Sequence, residues 1–185
     1  FAQAVNAGAS TSRWQNEAGE VVLLNDIDLT GMTEWTPIGS GTAKGTPAYD
    51  LVAPFSGVFN GQGFAIKGIQ WTYNVTDAAS HLYGLFGAIK DATIKNLVLG
   101  AEGDQITIVG SNANVIAVGA LVGHAESSTI SGIINNVSVV LADKNAEVPG
   151  DNPDATLMML GGIAGTFRAP MTVGSKDEPV KNYGN

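Results

Sequence analysis

The chain has 185 residues, a formal charge of −8 and a pI near 4.5, with 44% hydrophobic residues, 7% aromatic ones, 24 Gly and no Cys. Its 9 Lys and Arg are scattered, which argues against nucleic acid or an anionic membrane surface as partner, since both demand a concentrated basic patch. The lack of Cys excludes disulfides, thiolate metal sites and Cys nucleophiles, and no apolar run approaches the ~20 residues of a membrane-spanning helix.

The length suits one domain over residues 1–185. Residues 1–9, FAQAVNAGA, predict a short helix with Phe1 and Val5 on one side, placed to cap the first layer of a stack. Residues 21–29, VVLLNDIDL, alternate with period 2: Val21, Leu23, Ile27 and Leu29 share one face, Asp26 and Asp28 the other. Residues 30–56 are rich in Gly, Thr, Pro and Ser, carry Trp35 and Tyr49, and read as a long loop. Strand spacing returns over 57–73, which ends in Trp71 and Tyr73. Residues 74–81 and 142–156 read as polar insertions, and none of these stretches reads as an interdomain linker.

Three later stretches resemble one another: 84–99 (GLFGAIKDATIKNLVL), 120–139 (ALVGHAESSTISGIINNVSV) and 162–183 (GIAGTFRAPMTVGSKDEPVKNY). The matched positions are Gly87, Gly123 and Gly165, then Ile94, Ile134 and Val180, then Asn96, Asn136 and Asn182. A weaker copy over 56–69 adds Ile66, with Gly68 in the Asn place. Units this small cannot bury an apolar face alone and must stack, and their variable middles map to loops on one face. Period-2 alternation, as in Ile106–Thr107–Ile108 and Val137–Ser138–Val139, makes the stacked elements strands.

The fold class expected is therefore all-β: a parallel β-helix, with Ile66, Ile94, Ile134 and Val180 in one inward column. A β-sandwich is the alternative, but the regular 8–12-residue hairpin spacing it needs is missing. Asn96, Asn136 and Asn182 read as a structural ladder satisfying bends, and the repeated Gly residues as corners and close approaches. The chain starts without Met and stops just after a repeat signature, which predicts a module or mature form of a longer polypeptide.

Asn25-Asp26-Ile27-Asp28-Leu29, Trp35-Thr36-Pro37-Ile38-Gly39, Phe55-Ser56-Gly57-Val58-Phe59-Asn60-Gly61-Gln62-Gly63 and Gly84-Leu85-Phe86-Gly87 together resemble the GLUG-motif family of exported bacterial surface proteins. The later copies, Ala120-Leu121-Val122-Gly123 and Gly162-Ile163-Ala164-Gly165, keep only spacing and size. The resemblance implies a right-handed parallel β-helix, secretion, an extracellular or cell-surface location, and a role in adhesion or as a spacer. The motif also occurs outside the catalytic part of some IgA-cleaving metallopeptidases, but no His-Glu-x-x-His stands here.

Asp26 and Asp28, about 6–7 Å apart by strand rise, would suit a calcium ion or an acid–base pair, but the pattern equally describes a solvated face and a turn. His81 and His124 have no third partner at metal-ligand spacing, and no Ser stands in a nucleophile elbow. Neither a metal nor a cofactor is expected. Trp35, Tyr49, Trp71 and Tyr73 are the binding candidates, since such aromatics stack on sugar rings or anchor protein partners; the alternative is that the tryptophans plug the first layers. The function expected is a non-catalytic surface module binding a glycan or a protein. A polysaccharide-active β-helix enzyme is the alternative, and convergence of charged residues on one outer face would favour it. An ice-binding solenoid would need regular Thr rows, which are absent.

Overall fold

The computed structural model describes residues 1–43, 49–76, 79–109, 115–142 and 157–185. The chain opens with helix α1 (Ala2–Asn6) and a 3-10 turn (Ser12–Trp14), and among the described residues every later element is a strand. The strands of the first half are β1 (Glu20–Val22), β2 (Ile27–Asp28), β3 (Ser40–Ala43), β4 (Tyr49–Ala53), β5 (Val58–Asn60) and β6 (Ala65–Lys67). A regular succession follows: β7 (Gln70–Asn74), β8 (Ser80–Tyr83), β9 (Phe86–Lys90), β10 (Thr93–Leu99), then β11 (Gln105–Val109), β12 (Val115–Gly119), β13 (Val122–Glu126), β14 (Thr129–Asn135). The last set is β15 (Ser138–Leu141), β16 (Leu157–Gly161), β17 (Ala164–Arg168), β18 (Thr172–Val173) and β19 (Lys181–Asn182).

The order of pairing carries the architecture. β11 lies between β7 and β15, β12 between β8 and β16, β13 between β9 and β17, and β10 and β14 continue the sheet β1–β5–β10–β14–β18. All of these pairs are parallel, so each passage of the chain lays the same strand order on the passage before it. The fold is all-β and built on parallel sheets, as the period-2 pattern and repeats predict. Among the described residues the one antiparallel pair of strands is β3 with β4.

Parallel pairing in register puts like residues in columns. Val21, Phe59, Ile94 and Ile130 stand level across β1, β5, β10 and β14 and are all buried. Trp71 and Ile106 form a second fully buried pair, with Val139 level beside them. The columns open at the last passage. Val173, level with fully buried Ile130, is 46% exposed, and Phe167, level with fully buried Ala125, is 50% exposed. At the other end the expected short helix is present: Phe1 packs edge-on against Trp14 and Phe55, and Val5 is buried. The Asn6 side chain donates to Pro37 O at 3.0 Å and accepts from Gly39 N–H at 2.7 Å, pinning the helix to the next passage.

The column expected of Ile66, Ile94, Ile134 and Val180 does not form. Ile94 stands level with Ile130, whereas Ile134 stands level with Val98, beyond the left-handed bend at Gly132 that breaks the alternation, and is half-buried; Ile66 stands level with Leu99. The first parts of the two middle copies superpose without any insertion, as Ala92 and Ser128 show at a separation of 36 residues. Matching Asn96 to Asn136 therefore slipped the register by four positions, an even number that keeps the alternation plausible and hides the error.

The Asn ladder changes accordingly. Asn96 falls opposite Gly132, and both sit in the left-handed region, at φ 53° and 59°. Asn96 Nδ2 donates to Asn60 Oδ1 at 3.5 Å, and a shorter Asn–Asn bond joins Asn135 with Asn182, level across β14 and β19, at 2.7 Å from Asn135 Nδ2 to Asn182 Oδ1. The column Gly87, Gly123, Gly165 survives, for a physical reason. A Cβ on Gly123 would lie 2.8 Å from Tyr83 N and 2.9 Å from Gly87 O, and one on Gly165 2.8 Å from Gly123 O. Phe86 and Ile89 belong to the main core while Ala88 joins a second cluster, so the strand changes the side it shows around Gly87.

Residues 30–56 are not a simple loop. β3 and β4 form a hairpin whose Leu51 packs with Met159 on a small separate cluster of Leu82, Ala88 and Ala117. The segments before and after it are also built in: Ile38 bridges to Phe86 and Phe55 to Ile89, both in parallel. Ile27, expected inside with Val21 and Leu23, is 37% exposed, because the chain bends at 24–26 between β1 and β2. The insertion expected at 142–156 falls, from residue 143 on, outside the described residues.

Candidate functional site

Three of the aromatic candidates, Trp35, Trp71 and Tyr73, come together, but largely inward. Trp71 is fully buried in β7, and Trp35 stacks on it with ring centroids 5.3 Å apart and planes 9° from parallel. Trp35 Nε1 donates to Leu85 O at 3.0 Å, and the Tyr73 hydroxyl donates to Trp35 O at 2.9 Å. Tyr73 stacks on Tyr83 at 3.9 Å, and Tyr83 on His81 at 5.3 Å. Burial first, and then the neighbouring Tyr83, pushes the Tyr73 hydroxyl well above its usual range. An indole with no exposed face cannot stack on a sugar, so Trp71 contributes as part of the plug in the early passages. Trp35 keeps one edge on an apolar cleft of about 540 Å³ beside Phe1, Trp14 and Leu24. The backbone of Tyr49 pairs with Ala43, while its side chain lies outside the described residues.

Asp26 and Asp28 are each occupied locally. Asp26 accepts from Ala65 N–H at 2.9 Å and faces Lys67 at 3.8 Å. Asp28 accepts from Thr30 N–H at 2.9 Å, and the hydrogen bonds from Thr30, with a smaller effect of Lys67, hold its carboxyl below the usual range. Both thus fasten β2 and the turn after it. Among the described residues no group of three or more His, Asp or Glu is arranged to hold a metal ion. His124 is buried in β13 with Nδ1 2.7 Å from Thr166 Oγ1 of β17. Burial holds its pKa below the ordinary imidazole value, with Glu126 opposing and Arg168 adding to that shift.

The convergence of charge that composition does not reveal lies elsewhere. Lys90, Glu126 and Arg168 stand level at the ends of β9, β13 and β17. Lys90 Nζ lies 3.2 Å from Glu126 Oε1, and Arg168 Nη1 3.7 Å from Glu126 Oε2, so one carboxylate is held between two cations. The Glu126 side chain is 14% exposed, against 42% for Lys90 and 61% for Arg168. The hairpin supplies the facing wall: Asp50, Leu51 and Val52 of β4, with Pro54, close a groove of about 390 Å³ over the row. The signal for this row was present in the sequence: Lys90, Glu126 and Arg168 each follow the matched Gly87, Gly123 and Gly165 by three residues. Nothing in the sequence pattern points to Asp50, whose place depends on the hairpin.

Comparison with known proteins adds one relationship. Over 140 residues, 72% of this chain, the sequence is 26% identical to the Halomucin of Haloquadratum walsbyi. The chain spans only 1% of the length of that relative. No protein-family model matches the chain, and no solved structure matches it.

Proposed function

We propose that this chain is a non-catalytic module of an extracellular or cell-surface protein. It acts as a rigid element that presents its outer rows and hairpin to a glycan or a protein. The observation that carries this reading is the recurrence of one strand order in parallel register from β7 to β19, which makes a self-supporting body whose outer face is set row by row. On this reading the sheets close into a right-handed parallel β-helix capped by α1, of the kind that the GLUG-type motifs imply. The distant match to a small part of a very long protein, Halomucin, supports a modular role. The test is whether the purified chain binds immobilised glycans or surface proteins without converting them.

A second reading, a polysaccharide-active enzyme, is favoured by one observation: the carboxylates of Asp50 and Glu126 line the same groove. Paired carboxylates across a sugar site are the machinery of glycoside hydrolysis. Release of reducing ends from a polysaccharide, lost in Glu126→Gln, would establish the enzyme and displace the module reading.

A further inference from the structure

We infer that the groove between the hairpin and the Lys90–Glu126–Arg168 row is a binding site for a neutral oligosaccharide. This rests on the surface-module reading and gives it a ligand class and a place. Four observations converge on it.

The first is the geometry of the row. Its three groups sit on adjacent parallel strands, which lie about 4.8 Å apart, so a ligand laid across β9, β13 and β17 meets donor, acceptor and donor in turn. Vicinal hydroxyls both donate and accept, and they match such an alternation. The second is capacity. A carboxylate has about four lone-pair sites, and Glu126 shares one oxygen with Lys90 and the other with Arg168, which leaves acceptor positions on each. The Arg168 guanidinium, 61% exposed, keeps free directions of its donor fork. Pairing fixes the carboxylate before a ligand arrives, which lowers the ordering cost of binding.

The third observation is charge. Among the described lining residues Lys90 and Arg168 offset Glu126 and Asp50, so their formal charges cancel. The chain as a whole carries −8. A polyanion would be repelled at long range and gain no net charge at the site, which selects an uncharged ligand rich in hydrogen-bonding groups. The fourth is shape. The groove is about 390 Å³, within the roughly 300–1,000 Å³ of small-ligand sites, and Val52, 70% exposed, with Pro54 offers an apolar wall for the C–H face of a sugar ring.

The experiment is titration calorimetry of the whole chain with cello-, manno-, xylo- and chito-oligosaccharides, with chondroitin sulfate and oligogalacturonate as acidic probes. At least one neutral probe is expected to bind saturably, with little change on adding salt. Glu126→Gln and Arg168→Gln are each expected to weaken it about tenfold or more, as loss of a charge-assisted hydrogen bond predicts. Glu102→Gln, exposed and away from the groove, should leave binding unchanged. Circular dichroism checks folding; should Glu126→Gln misfold, Arg168→Gln and Val52→Asp still probe the groove from exposed positions. The inference is overturned if no neutral probe binds, if only the acidic probes bind with steep salt dependence, or if binding survives both Glu126→Gln and Arg168→Gln. A folded chain that binds none of the probes leaves the spacer role standing. Turnover of a bound probe would keep the groove as the sugar site and replace the module reading with the enzyme.

Discussion

Asn135 tests the stack at its most constrained polar position. Its side chain has no exposure, and the two N–H groups of its amide are shared among three acceptors: Val137 O at 3.0 Å, Gly162 O at 2.9 Å and Asn182 Oδ1 at 2.7 Å. Its oxygen accepts from Val137 N–H at 3.2 Å. One residue thus ties β14 to the turn after it, to the corner between β16 and β17 and to β19. Asn135→Leu keeps the volume and removes all four links. Leaving the buried Val137 N–H unpaired costs about 1–3 kcal/mol. The carbonyls of Val137 and Gly162 add about 0.5–1.5 kcal/mol each where water does not replace the amide. The apolar gain of a buried Leu offsets part of this, about 1.5–3 kcal/mol at most. The net expectation is a loss of about 1–3 kcal/mol.

Urea unfolding followed by circular dichroism reads the loss as a midpoint lowered by about 0.5–1 M or more at an ordinary urea slope. Asn182→Ala, on the exposed side of the same pair, should cost under about 1 kcal/mol. Asn135→Asp sharpens the test. Its carboxylate still accepts from Val137 N–H but faces three oxygens, so its folded-state pKa is raised and its penalty is relieved as pH falls. Midpoints of Asn135→Leu and Asn182→Ala that coincide with the parent would refute the reasoning.

Four further outcomes are expected. Gly123→Ala places a methyl within 3.0 Å of three backbone atoms, including Ala117 O, and should lower stability by about 1–3 kcal/mol or more in the same unfolding assay. Asn96→Gly should be nearly neutral while Asn96→Leu costs about 1–3 kcal/mol, because the φ of 53° admits glycine and strains leucine. Ile130→Ala should cost about 2–5 kcal/mol, and Phe167→Ala clearly less despite its larger side chain, since one is fully buried and the other half-exposed. For His124 the folded pKa is depressed, so its contribution is complete above the ordinary value of 6.5 and declines as pH falls through the lower folded value. A stability profile should fall on acidification below 6.5, before the carboxylates Glu20 and Asp28 begin to protonate, and His124→Gln should flatten that stretch.

What was legible in the sequence is what a single strand decides for itself. Alternation in Ile106–Thr107–Ile108 reports two faces, and the Gly87–Gly123–Gly165 match reports a close approach that admits no side chain. Phe1 and Val5 on one side of a short helix were readable for the same reason. Register was not, because Asn96 and Asn136 each precede an apolar residue for different reasons: one takes a left-handed bend, the other donates its amide to Gly100 O after the strand has ended. The hairpin was hidden by composition. Gly, Thr and Pro around residues 39–48 signal breaks, while the apolar anchor Leu51 finds its partners only on distant strands. Trp71 and Trp35 look alike in sequence, and only packing separates the enclosed ring from the one with an open edge.

The charged row shows why function in such a fold is hard to see in one dimension. Parallel stacking in register places residues from three separate copies side by side, so a site is written across the repeats rather than along any one of them. Among the described residues a second linkage of this kind has different surroundings: Asn60 and Lys95 stand level, with Glu20 two positions out of line. Glu20, Asn60 and Lys95 link β1, β5 and β10, with Lys95 Nζ 2.7 Å from Glu20 Oε1 and Asn60 Nδ2 3.0 Å from Glu20 Oε2; these bonds fasten successive passages. Lys90, Glu126 and Arg168 use the same chemistry, but the β3–β4 hairpin stands over them and makes a row into a groove. A paired row on an open face holds layers together. The same row under a wall has a ligand-sized space above it. The hairpin rather than the charges therefore separates the two roles, and it departs from the repeat at the point where the fold can vary without disturbing the stack beneath.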